Sequence, residues 1–216
     1  TDQAIHARCS DLGCSTHYAT NLREETSMQL QETDIEGLFV LQRPVHHDAR
    51  GQFTRLFAFD EIAAAGRPTD AVHVNTSTSM ETGTLRGIHF QFPPYDEVKI
   101  VACTAGAIWD VGVDLRPGSP TRFRWFGTRL TPENGLSMVI PEGFGHAFIT
   151  LEPNSTAVYI VSAVYAPDYE SGASYDDPTL AIGWPLKPTV VSDKDRSWPR
   201  LATRINELDA RFDARD

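Results

Sequence analysis

The chain has 216 residues, 41% hydrophobic and 10% aromatic, enough apolar material for one domain with a substantial core. Its formal net charge of -10 argues against nucleic acid as the main partner, because a polyanion asks for a basic surface. A small phosphorylated ligand needs only a local cluster of Arg and Lys and stays open.

Residues 1–34 are polar with little periodicity and read as an N-terminal extension or arm. They lack the charged, apolar, small-residue order of a secretion signal, and no apolar run approaches the roughly 18 residues of a membrane span, so a cytoplasmic protein with no membrane partner is expected. The three cysteines, Cys9, Cys14 and Cys103, have no repeating spacing. Such a set is not a disulfide framework, so reduced thiols are expected, with Cys103 buried in an apolar run.

A core domain is expected over residues 35–200, opening at Ile35-Glu36-Gly37-Leu38-Phe39-Val40. Short β-rich runs then recur between turn signals, at 51–58, 71–79, 84–91, 98–104, 108–115, 123–130, 136–140, 147–151 and 156–165. Strands at intervals of about 8–12 residues point to an all-β sandwich or barrel. In 108–115, Trp109, Val111, Val113 and Leu115 alternate with Asp110, Gly112 and Asp114, which predicts a strand with one wet face. Ala105-Gly106 reads as a hairpin turn and 116–120 as a loop. Helix is scarce: a short candidate at 60–65 ends at Gly66, and Leu201, Ile205, Leu208 and Phe212 mark an amphipathic C-terminal helix within 201–216. Residues 177–188 read as a connection wrapped over the domain.

The chemistry gathers on a few runs. Leu85-Arg86-Gly87-Ile88-His89-Phe90-Gln91 places a cation and an imidazole around a glycine in a strand. His89 fits either a general base near neutrality or a structural imidazole bonded in a sheet wall. Strict alternation puts Arg86 and His89 on opposite faces, and a bulge at Gly87 would bring both to one pocket. Lys99 interrupts an apolar run, so it either lies at a sheet edge or meets a negative charge, including that of a developing enolate. His146 follows Gly143-Phe144-Gly145, where the backbone comes close to a ligand or turns tightly. Tyr159 and Tyr165 share parity, as cavity residues or as core tyrosines; a placed phenol can donate a proton. No metal chelate is expected: His89 has no second histidine two residues on. His46-His47, in a predicted loop, are adjacent and point apart. The glycine-rich signatures of dinucleotide sites, P-loops and nucleophile elbows are missing as well.

These motifs, together with Asp48-Ala49-Arg50-Gly51, Asp110 through Arg116, Ser119-Pro120-Thr121, Ile140 through Phe148, Gly183-Trp184-Pro185 and Ser192-Asp193-Lys194-Asp195, resemble the dTDP-4-dehydrorhamnose 3,5-epimerase family from about residue 35 to 201. The resemblance implies a cupin-type jelly roll (a double-stranded β-helix) with few short helices, usually a homodimer, formed here by strand exchange or sheet extension. It implies an isomerase that inverts C3, C5 or both in a nucleotide-linked 4-keto-6-deoxyhexose, with no metal or organic cofactor. His89 would be the base with Asp195 paired to it, Tyr159 the proton donor from the opposite sugar face, and Lys99 the enolate's cation. Arg50, Arg86, Asn75, Gln91, His146, Glu170 and Lys194 would hold the nucleotide sugar, and Tyr165 would stack on its base.

Three places depart from the family pattern: Arg55 where a glutamate is usual, His73-Val74-Asn75 where a Gln-Asp-Asn-like triplet is usual, and residues 91–97. They bear on nucleotide preference and on whether one or two centres invert. The alternatives are a mono-epimerase, a ketoisomerase on a different nucleotide sugar, and a non-catalytic sugar-binding jelly roll.

Overall fold

The computed structural model describes residues 27–64 and 70–214. Most of the predicted arm, with Cys9 and Cys14, lies outside the described residues, as do Ala65 and Gly66. In chain order the elements are β1 (Gln29–Glu32), β2 (Phe39–Gln42), β3 (Val45–Asp48), β4 (Gly51–Thr54), α1 (Phe59–Ala64), β5 (His73–Ser79), β6 (Thr84–Gln91), β7 (Lys99–Ala105), β8 (Ile108–Asp114), β9 (Trp125–Leu130), β10 (Leu136–Ile140), β11 (Phe144–Thr150), β12 (Ser155–Val161), β13 (Glu170–Gly172), β14 (Val190–Val191), α2 (Asp193–Ser197), a 3-10 turn (Leu201–Thr203) and α3 (Ile205–Asp213).

Two large sheets form the expected all-β jelly roll. The first has the order β1-β2-β10-β7-β12-β5; the second runs β13-β6-β11-β8-β9, with β14 pairing parallel to β6. Non-sequential neighbours mean that the chain passes repeatedly from one sheet to the other. Leu38, Val101, Ile108, Met138, Ile140 and Phe148 fill the space between the sheets. The outer faces are covered too. Ile62 of α1 packs on Phe39, Ile100, Val139 and Ile160, while Leu201, Leu208 and Phe212 pack on Ile88, Phe90, Val111 and Val113. Each large apolar side chain so buried contributes about 1.5–3 kcal/mol. Central strands buried on both faces explain the near-continuous apolar runs.

Several expectations change. The wet face predicted for 108–115 is not wet, since Asp110 and Asp114 are both 0% exposed. The period of two holds, but Val111 and Val113 face the layer under α3, while Gly112 faces Leu38, Ile140 and Met138 between the sheets. Asp114 is satisfied there by Arg116, Ser119 and Thr121. The Ala105-Gly106 turn exists, with Gly106 at φ +65, but β7 and β8 belong to different sheets, so it is a crossover rather than a hairpin. His46 and His47 lie in β3, which pairs with β4 in a separate two-stranded sheet. Gln29–Glu32 pair along β2 as an edge strand. The C-terminal helix breaks at Arg204 (φ -141), leaving Leu201 in the 3-10 turn. Residues 177–188 do wrap the domain: Asp177 accepts from Leu201 N–H, Leu180 joins the core, and Trp184 Nε1 donates to Tyr175 O.

Candidate active site

β6 carries the centre of the site, and one irregularity in it decides the geometry. Against β11, His89 pairs with His146 and Arg86 with Phe148, so three steps on β6 match two on β11. This bulge lies at Gly87-Ile88. Gly87 has φ +119, and a Cβ there would sit 2.5 Å from Ala147 Cβ and 2.6 Å from His146 O. Only glycine fits so close to a neighbouring backbone. The extra residue turns Arg86 and His89 to the same side, as the sequence predicted, and both line a cavity of about 440 Å3 with Lys99, His146, Tyr159 and Asp195.

Asp195 reaches His89 from α2. Ser192 caps that short helix by accepting from Asp195 N–H, which seats the carboxylate against β6. Asp195 Oδ1 lies 2.5 Å from His89 Nε2, and Oδ2 accepts from Gly87 N–H at 3.3 Å. Burial works to raise the Asp195 carboxyl. The hydrogen bond and charge of His89, with Gly87 N–H and the Ser192 hydroxyl, outweigh it and hold the group below its ordinary value. An ionised carboxylate only accepts, so Nε2 carries the hydrogen and Nδ1 is left as the basic nitrogen.

Tyr159 stands on β12, in the opposite sheet from His89. Burial first, and the charge of Glu97 second, push its phenol up, while Arg86 works the other way, so it keeps its proton well above neutrality. Lys99 opens β7 beside it and pairs with Glu97 at 3.0 Å. Burial pushes the free Cys103 thiol, further along β7, up to about 11, which makes it an inert core residue.

A second cavity of about 310 Å3 shares His89, Lys99 and Tyr159 with the first and extends past Asn75, Gln91, Tyr165 and Glu170. Tyr165 lies beyond the end of β12, not within it, yet still reaches this cavity. Its hydroxyl donates to Glu170 Oε2 at 2.7 Å, and Lys194 Nζ lies 2.6 and 2.7 Å from the two Glu170 oxygens. Burial raises the Glu170 carboxyl, but Lys194 and Tyr165 outweigh it and hold the group low.

Two of the predicted binding residues behave differently. Gln91 lines the cavity, but its amide donates to Tyr95 O and Val164 O and accepts from Ala166 N–H, so it builds the wall. Arg50 stands on the β3–β4 turn, 91% exposed and bonded to Asp48, and lines neither cavity. Among the described residues that hairpin pairs with neither large sheet, so none of them carries Arg50 inward.

Sequence reasoning missed two carboxylates. Asp110 accepts from His146 at 2.7 Å, a second histidine–aspartate pair with its carboxylate behind the pocket wall that His146 lines, and its other oxygen is unpartnered among the described residues. Glu97, the partner of Lys99, is the other. The period of β8 marked Asp110 as facing away from the apolar layer, but the apolar side was read as the interior.

A model of the dTDP-4-dehydrorhamnose 3,5-epimerase family matches residues 32–203. The chain is 37% identical over 179 residues to the dTDP-4-dehydrorhamnose 3,5-epimerase of Sinorhizobium fredii, covering 82% of this chain and 92% of the relative. It is 39% identical over 176 residues to the dTDP-4-dehydrorhamnose 3-epimerase of Streptomyces niveus, covering 81% and 84%. The crystal structure of the 3,5-epimerase of Bacillus anthracis, with TDP and PPi bound, superposes with a TM-score of 0.78 at 38% identity, covering 81% of this chain and 100% of that one. The chain therefore belongs to the dTDP-4-dehydrorhamnose 3,5-epimerase family.

Proposed function

We propose that the protein epimerises dTDP-4-keto-6-deoxy-D-glucose at C3 and C5 by proton transfer through an enolate. One observation carries the reading: a histidine held by a buried carboxylate and a protonated tyrosine enter one cavity from opposite sheets. Inversion needs a proton taken from one face of a carbon and returned to the other.

The 4-keto group acidifies the protons on C3 and C5, because the carbanion delocalises onto oxygen. His89 takes the proton at Nδ1, and Asp195 stabilises the imidazolium that forms. Lys99 meets the charge that grows on the ketone oxygen; losing one such stabiliser commonly costs about 3–4 kcal/mol. Tyr159 delivers a proton to the other face. Arg86 suits the diphosphate, since its guanidinium donates only to Ser79 Oγ and Thr78 O among the described residues and has no carboxylate partner there. His146, Asn75, Lys194 and Glu170 offer polar edges to the sugar and base, and Tyr165, 59% exposed at the mouth, offers a stacking face.

A mono-epimerase is the second reading, favoured by the Streptomyces niveus relative, named a 3-epimerase. Counting the deuterons that the sugar gains from heavy water separates the two. His89→Ala tests the base: its turnover falls at least ~100-fold if the assignment holds, and exchange at the wild-type rate would sink it.

The protein acts as a homodimer in the cytoplasm on this reading. No helix among the described residues is long and apolar enough to cross a membrane. Among the described residues β5 pairs only with β12, and Val74 and Met80 at this edge are 67% and 68% exposed, a strand that a second copy can extend. A monomeric mass at micromolar concentration would refute the dimer.

A further inference from the structure

Both lysines of the cavity are tied to a glutamate. Lys194 meets Glu170 at the mouth, where Lys194 is 50% exposed. Lys99 meets Glu97 deeper in, at 3.0 Å, with both side chains 11% exposed. An ion pair so buried is not explained by stability, since desolvation offsets most of the attraction. Its surroundings point to the reaction instead. Residues 97, 99 and 101 share parity into β7. Val101 pairs with Tyr159 across β12, and Lys99 pairs with Val161 two residues further on. Glu97, Lys99 and Tyr159 thus converge on one wall, and His89 lines the same cavity from the other sheet.

We infer that Glu97 is a positioning residue for the epimerisation: it holds the Lys99 ammonium beside the Tyr159 phenol, where the two cavities meet. The inference rests on the function proposed above. An ammonium has three donors, so pairing with Glu97 fixes the long side chain and leaves two donors for a ketone or enolate oxygen. Glu97 also acts on the phenol through space, after burial, by opposing its ionisation. The other charged or titratable groups lining the two cavities that share this phenol are Arg86 and His89 of β6, Lys99 of β7, His146 of β11, His73 of β5, Tyr165, Glu170 of β13, and Lys194 and Asp195 of α2, and neither substitution at Glu97 replaces any of them.

The test compares wild type, Glu97→Gln and Glu97→Asp in two ways. The first is turnover of dTDP-4-keto-6-deoxy-D-glucose across pH. The second is tyrosinate absorbance of the substrate-free proteins, each referenced to its own Tyr159→Phe counterpart because the chain has 6 tyrosines. In Glu97→Gln, kcat falls about tenfold or more while KM stays within about twofold, the signature of an interaction felt mainly in the transition state. The alkaline limb of kcat and the Tyr159 titration both move to lower pH, because an anion has been removed from beside the phenol. Glu97→Asp, which keeps the charge, recovers most of both. Wild-type kcat in Glu97→Gln, an unmoved Tyr159 titration, or lowered thermal stability in both variants without that movement would overturn the inference. So would a raised KM at constant kcat, which would make Glu97 a direct sugar contact. If wild type turns over no such sugar, the proposed function fails, and the substrate-free titration alone decides the role of Glu97.

Discussion

Gly87→Ala tests whether the bulge in β6 builds the site. The new methyl would meet Ala147 Cβ at 2.5 Å, His146 O at 2.6 Å and Ala147 Cα at 2.7 Å. Two of these are backbone atoms of β11, which is held between β6 and β8, so the methyl has no flexible neighbour to push aside. Overpacking of this kind costs about 1–3 kcal/mol. A side chain held at φ +119 adds about 1–3 kcal/mol of backbone strain. The sum is about 2–6 kcal/mol, or a fall in Tm of about 4–24 °C at roughly 2–4 °C per kcal/mol for a chain of this size. Gly118→Ala is the control, since Gly118 has φ +72 but nothing within 4 Å of an added Cβ, so it carries strain alone. The assay is thermal unfolding of both variants beside wild type, with turnover measured well below either midpoint. Gly87→Ala should be the less stable and should lose activity even where folded, because Arg86 and His89 no longer face one side. A Gly87→Ala protein as stable as Gly118→Ala, with wild-type turnover, would refute the reasoning.

Three further outcomes are expected. Tyr159→Phe should keep exchanging substrate protons with solvent while losing inversion, because His89 can still take a proton and return it to the same face; proton NMR in heavy water reads both, and unimpaired inversion would remove Tyr159 as donor. Arg86→Gln should weaken TDP binding by about 10–100-fold in calorimetry, the equivalent of a charged hydrogen bond worth about 1.5–3 kcal/mol; unchanged affinity would place the diphosphate elsewhere. Asp114→Asn addresses acid stability: burial raises the Asp114 carboxyl, but Arg116, Ser119 and Thr121 outweigh it and hold it low. A depressed carboxyl stabilises the fold above its unfolded pKa of about 3.9 and loses that contribution as pH falls through the folded value. Wild-type unfolding free energy should therefore drop below about pH 4 more steeply than that of Asp114→Asn, and parallel acid limbs would contradict this.

What the sequence made legible follows the range of the interaction. The strands were visible because apolar alternation and glycine turns are local signals, and the bulge at Gly87 was readable because one strand held two polar residues of opposite parity. The partner of His89 was not local: Asp195 lies 106 residues away and came only from the family resemblance. The interior role of Asp110 was missed because both faces of β8 are buried, so polarity alone could not say which face was outside. Gln91 shows the converse. The family resemblance implied a ligand contact for it, but loop carbonyls from residues 95 and 164 take its amide N–H groups. Arg50 fits the family motif, yet its hairpin stands apart from both sheets of the single chain.

The central claim is that this cavity removes and returns protons next to a ketone. Incubation with dTDP-4-keto-6-deoxy-D-glucose in heavy water, read by mass spectrometry and proton NMR, tests it directly. The account predicts deuterium at C3 and C5 with wild type and none above background with His89→Ala. A wild-type protein that leaves both positions unlabelled would contradict it.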